Sequence, residues 1–106
     1  MIYKVKARFK EASAAEFQRK LLDGTVAHQK PDGPELVDSM YRAVLKESGE
    51  IEWSELCYCN PPLAHERQTV LDDHFDDIST EVIETHQEYD GRPFMDYLAG
   101  LAAGSQ

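Results

Sequence analysis

A chain of 106 residues holds one domain with a modest core, and 42% hydrophobic with 29% charged residues is the composition of a globular rather than a disordered protein. A formal charge of −9 excludes nucleic acid and anionic membrane surfaces as partners, because either would be approached against repulsion. No window approaches the eighteen apolar residues of a membrane helix and Met1–Lys6 lacks the apolar run of a signal peptide, so the two cysteines predict free thiols in a reducing cytoplasm.

Charge is unevenly placed. Residues 1–35 carry seven basic and five acidic side chains, net +2, whereas residues 36–106 carry four and fifteen, net −11. Residues 2–9 alternate, with Tyr3, Val5, Ala7 and Phe9 on one face and Ile2, Lys4, Lys6 and Arg8 on the other, which predicts a strand with one buried face. Ser13 and Glu16 form a capping-box pattern before Ala14, Phe17 and Leu21, and Gly24 is a suitable stop, giving a helix over roughly 14–23. Thr25–Pro34, with its Pro-Asp-Gly-Pro turn and His28, reads as a surface loop.

Residues 35–47 fit two periods. Leu36, Val37, Met40, Tyr41 and Val44 have helical spacing behind Pro34, while Tyr41, Ala43 and Leu45 alternate with Met40, Arg42 and Val44. The strand is favoured because a turn at Ser48-Gly49 would place Val44 opposite Trp53 and Arg42 opposite Glu55, two sensible cross-strand pairs. Residues 50–59 alternate strictly until Asn60-Pro61-Pro62 ends the strand. This strand holds the only tryptophan and both cysteines, with Trp53, Glu55, Cys57 and Cys59 on one side. A helix is predicted over 63–78 from Leu63, Val70, Leu71, Phe75 and Ile78, then a short strand over 80–85 and a helix opened by Pro93 that frays at Gly104-Ser105-Gln106.

The resulting order, β-α-β-β-α-β with a C-terminal helix, resembles the ferredoxin-like α+β folds: an antiparallel sheet with two helices on one face. Some small proteins of this architecture pair their sheets into dimeric α+β barrels. In that topology the first strand lies between the third and fourth, so its bases would stand between Glu55 and Glu84. The open sheet face would then carry Ile2, Met40, Val44, Trp53 and Cys57 among Lys4, Lys6, Arg8, Arg42 and Glu55, which suits a homodimer interface or a ligand cavity.

The chemistry expected there is the binding or transformation of a small organic molecule, with His86 and Glu55 as acid–base groups and Lys4, Lys6, Arg8, Arg42, Trp53 and Cys57 as ligand contacts. The alternative is a non-catalytic acidic module that meets a basic partner. Cys57 and Cys59 on an extended strand have Cα atoms roughly 6.5–7 Å apart, at the limit of a disulfide, and a metal would need His65 or His74 in a spacing that matches no Cys/His zinc pattern. Asp72, Asp73, Asp76 and Asp77 read as a solvated helix face. With no phosphate loop, nucleophile elbow or dinucleotide fingerprint, neither cofactor nor resident metal is expected.

Overall fold

The computed structural model describes residues 1–104 as an α+β fold. Its elements are β1 (Ile2–Phe9), α1 (Ala14–Leu22), α2 (Gly33–Arg42), β2 (Val44–Leu45), β3 (Ile51–Leu56), α3 (Ala64–Glu66), a π-helical turn Arg67–Leu71, α4 (Asp72–His74), β4 (Phe75–Ile83), β5 (Arg92–Pro93) and α5 (Phe94–Gly104). The strands form one antiparallel sheet in the order β4-β1-β3-β2-β5. The basic first strand thus has acidic strands on both sides: Lys4 faces Glu81, Lys6 faces Glu52 and Arg8 faces Asp76. The flanking acids are Glu52 and Glu81 rather than the expected Glu55 and Glu84. Among described residues no helix is long and apolar enough to cross a membrane.

Helices α1, α2 and α5 cover one sheet face, where Tyr3, Val5, Ala7, Ile51 and Trp53 meet Phe17, Leu36, Met40, Phe94 and Leu98. Aromatic rings fill the centre: Phe75 lies 5.3 Å from Trp53 and 5.4 Å from Phe9, between ring centroids. Gly33 opens α2 where a Cβ would meet the Val26 carbonyl oxygen at 2.2 Å, so only glycine fits that approach.

Four expectations are corrected. First, β3 is turned over. Lys46 N–H donates to the Glu50 carbonyl and Val44 pairs with Glu52, a register one residue from the expected Val44–Trp53 pairing. Because side chains alternate, that single slip carries Trp53 and Glu55 from the open face into the core beside Val5 and Tyr3. Second, residues 35–47 obey both periods in turn. The helix runs through Met40 and Arg42, Ala43 turns extended at ψ 148°, and only Val44–Leu45 is strand. Met40 is therefore buried and Tyr41 exposed.

Third, the helix expected over 63–78 stops at His74, and β4 starts at Phe75 rather than at residue 80. Phe75 takes extended geometry because its ring completes the aromatic cluster, and burial of that ring outweighs helical periodicity. The aspartates at 72, 73, 76 and 77 are consequently divided between helix and strand. Fourth, the sheet face expected to stay open for a homodimer or a ligand is not bare, and α5 lies away from it, beside α1 on the covered face. The open face is instead strapped by the segment after β4: His86 Nδ1 meets Ser54 Oγ at 2.9 Å, and Lys4 Nζ lies 5.0 Å from the Tyr89 ring centre. Trp53 and Met40, on which association through that face rested, are enclosed within the chain. The fraying expected at the C-terminus falls partly on Ser105 and Gln106, outside the described residues.

The expected capping box at Ser13 does not form. Ser13 Oγ donates to the Lys10 carbonyl at 2.8 Å and lies 2.9 Å from His74 Nδ1. His74 is fully buried, its ring stacked on Phe17 at 4.4 Å, with Lys20 Nζ 3.1 Å from Nε2. An ammonium can only donate, so Nε2 accepts and the proton sits on Nδ1, pointing at Ser13. Burial, and then the Lys20 charge, push the imidazole down to about 4.

Candidate functional site

The sequence brings unusual chemistry together where β3 ends. Beyond Glu52 the strand has no neighbour on the β2 side, since β2 pairs only with Ile51 and Glu52. Side chains of α2 take over that edge. Glu35 Oε2 accepts from Leu56 N–H at 2.7 Å, and Arg42 Nη2 donates to the Ser54 carbonyl at 2.9 Å and to Glu35 Oε2 at 3.1 Å. Pairing the exposed edge with an ion pair satisfies backbone groups that another strand would otherwise seek.

Past this edge the chain folds back. Leu63 is buried at φ +61°, a left-handed conformation that costs a branched residue energy, and it starts α3 so that Glu66 points inward. Glu66 Oε2 lies 3.7 Å from Cys57 Sγ and 3.7 Å from Cys59 Sγ. Cys57 Sγ also accepts from Cys59 N–H at 3.1 Å, and both cysteines are free thiols. Trp53 Nε1–H donates to Glu55 Oε1 at 2.9 Å, and the Glu55 carboxyl adjoins that of Glu66.

Both carboxyl groups are fully buried, and Glu55 Oε2 and Glu66 Oε1 receive no donor from other groups. Burial raises the Glu55 carboxyl well above the usual carboxylate range; the Trp53 hydrogen bond opposes this, and the Glu66 charge adds to it. A proton held by Glu55 is the group able to bridge the pair. Burial likewise pushes the Cys57 thiol up to about 12.

Above this cluster lies a pocket of about 340 Å³, walled by Pro31, Leu56 and Tyr58, with Asp32, Glu35 and Glu66 as its acids and both thiols in its lining. Asp32 holds His65 Nδ1 at 2.8 Å and Glu35 holds Arg42, so two of the three acids already have partners. Glu66 has only the two thiols and the Glu55 carboxyl. A larger depression of about 710 Å³ lies between Lys46–Ser48 and Asp90–Arg92, but it is lined by hairpin and loop residues and contains neither a thiol nor an unpartnered buried group.

The expected site residues divide among three places. Lys4, Lys6 and Arg8 lie on the open face, with Lys4 3.6 Å from Glu52 Oε1. Arg42 braces the β3 edge from α2. Trp53, Glu55 and Cys57 lie on the other side of the sheet, at the core and the pocket. His86 and Glu55, expected to work together, are therefore on opposite faces. His86 Nε2 stands 3.6 Å from Glu35 Oε2, completing a Ser54–His86–Glu35 chain, but Ser54 is wholly buried and its Oγ is engaged by the Gln87 backbone. That hydroxyl is closed to a substrate and fastens the strap.

Glu66 was missed because it reads as one more charge on a helix. Its signal is its position: Leu63, Glu66 and Val70 fall at i, i+3 and i+7, so an acid occupies the apolar stripe. Glu35 and Asp32 carry no comparable signal in the sequence. Comparison of the chain with protein-family models, with curated proteins and with solved structures finds no match.

Proposed function

We propose that this chain binds a small, positively charged molecule in the pocket at the end of β3, with Glu66 as the anchoring charge, Asp32 and Glu35 at the rim and Leu56 and Tyr58 as apolar walls. One observation carries this reading. A fully buried carboxylate whose neighbours are two thiols and another carboxyl, with no cation among the described residues facing it, is costly unless positive charge arrives from outside. The pocket opens onto that carboxylate, and the neighbouring acids leave no room for an anion.

The small-molecule function first inferred for the open face thus moves to the other end of Trp53's strand, where Cys57 serves as a contact. On this reading the β4-β1-β3-β2 part of the sheet is a ferredoxin-like βαββαβ unit to which α2, β5 and α5 are additions, and a cytoplasmic setting keeps the thiols reduced.

The test is a thermal-shift panel of small alkylammonium and guanidinium compounds beside size-matched carboxylates. At about tenfold excess over its Kd a bound cation adds ~1.4 kcal/mol, a rise of several degrees in Tm that Glu66→Gln removes. Stabilisation by carboxylates alone, or by cations equally in Glu66→Gln, would refute the reading.

A further inference from the structure

We infer that Cys57, Cys59 and Glu66 form a three-ligand site for a thiophilic divalent cation such as zinc, with a fourth coordination position open to the pocket. The inference names the ligand class for the site proposed above and rests on that reading. The three donor atoms all lie within 4.8 Å of one another. In a tetrahedral zinc site, metal–sulfur bonds near 2.3 Å and metal–oxygen bonds near 2.1 Å put sulfur and oxygen roughly 3.6 Å apart. Both sulfurs here stand 3.7 Å from Glu66 Oε2. The two sulfur-to-oxygen edges of a coordination tetrahedron are therefore already close to their coordinated length.

Donor type selects the metal. Two sulfurs disfavour magnesium and calcium, which prefer all-oxygen shells, and favour zinc and cadmium among the softer divalent ions. Zinc fits the one-carboxylate, two-sulfur set. On binding, each thiol loses its proton to solvent, so two S–H bonds break, two metal–sulfur bonds form and two protons are released per cation. The site's charge becomes −1.

A supporting shell is in place. Cys59 N–H donates to Cys57 Sγ, stabilising sulfur as an anion, and Trp53 Nε1–H fixes Glu55 against Glu66. Beside the thiols, the buried Glu66 carboxylate meets only the Glu55 carboxyl, so no cation among the described residues balances its charge. Three protein ligands with an open fourth position is the pattern of working rather than purely structural zinc sites.

The experiment is titration of the reduced full chain with cadmium chloride, following the thiolate-to-cadmium charge-transfer absorption, and with zinc chloride against a chromogenic chelator. One cation per chain is expected, with Cys59→Ser and Glu66→Gln each weakening binding about a hundredfold or more. Cys59 is only half-buried, so its serine variant should retain the wild-type circular dichroism spectrum, which also serves as the folding control. Absence of the absorption band, a stoichiometry other than one, or unaltered binding in Glu66→Gln would overturn the site. Should metal fail while organic cations still shift Tm through Glu66, the metal site falls and the pocket reading stands. Should both fail, both fall.

Discussion

Replacing Trp53 with alanine should cost about 3–5 kcal/mol, enough to leave a chain of this size marginally folded or unfolded against a typical total of about 5–15 kcal/mol. Trp53 is fully enclosed, centred on the sheet opposite Val5 and 5.3 Å from the Phe75 ring. Truncation would lose the buried ring area and leave a cavity that strands on either side cannot close. It would also remove the Nε1–H donor from Glu55, leaving a buried carboxyl without its best-defined partner. Trp53→Glu should abolish folding, since it would place a second carboxylate beside Glu55. Urea unfolding followed by circular dichroism is the measurement, because Trp53 is the only tryptophan and its fluorescence disappears with it. A Trp53→Glu chain that folds with wild-type stability would mean the residue lies on an outer surface.

Acid should weaken the fold through His74. Unfolded, its imidazole takes a proton near pH 6.5; folded, burial against Phe17 and the nearby Lys20 charge delay protonation to about 4. A depressed histidine value means that the native state binds fewer protons than the unfolded chain. The stabilisation is therefore complete above pH 6.5 and lost progressively as pH falls to about 4. The gap corresponds to about 3–4 kcal/mol. The charges of Glu16, Asp73 and Lys10 also act on the ring, so the comparison is with His74→Phe, which retains stacking and has no proton to gain. Its stability should decline less steeply below pH 6.5 than wild type. Parallel profiles would show that His74 is not the group responsible.

Much of the fold could be read from alternation and helical spacing. Tyr3, Val5 and Ala7 on one side of β1, the α1 boundaries near Ser13 and Gly24, and the helix behind Pro93 follow from patterns within a dozen residues. What failed depended on distant partners. The facing of β3 turned on one residue of hairpin register, and a tryptophan between Glu52 and Ser54 suits either face until Val5 is known to sit across from it. The end of α4 turned on Phe75 joining rings from Phe9, Phe17 and Phe94, none of them near it in sequence.

The site was legible only in part for the same reason. Cys57 and Cys59 announce themselves by spacing, but Glu66 is brought to them by the Leu63 turn, and nothing in a linear reading ties Glu35 to the Leu56 amide. Histidines were sought as partners for the thiols; His65 is engaged by Asp32 and His74 lies in the aromatic core, and a carboxylate took the place.

On the proposed reading, the cavity beside the thiols is an anionic recess that gathers positive charge. This can be measured at Cys59, the more accessible thiol, with two methanethiosulfonate reagents of similar size, one ending in an ammonium and one in a sulfonate. Their rates on the folded chain, each divided by the rate on the urea-unfolded chain and located by fragment mass spectrometry, report the local potential. A normalised preference for the cationic reagent of about tenfold or more is expected, most of it lost in Glu66→Gln. Equal normalised rates, or a preference for the sulfonate, would contradict it.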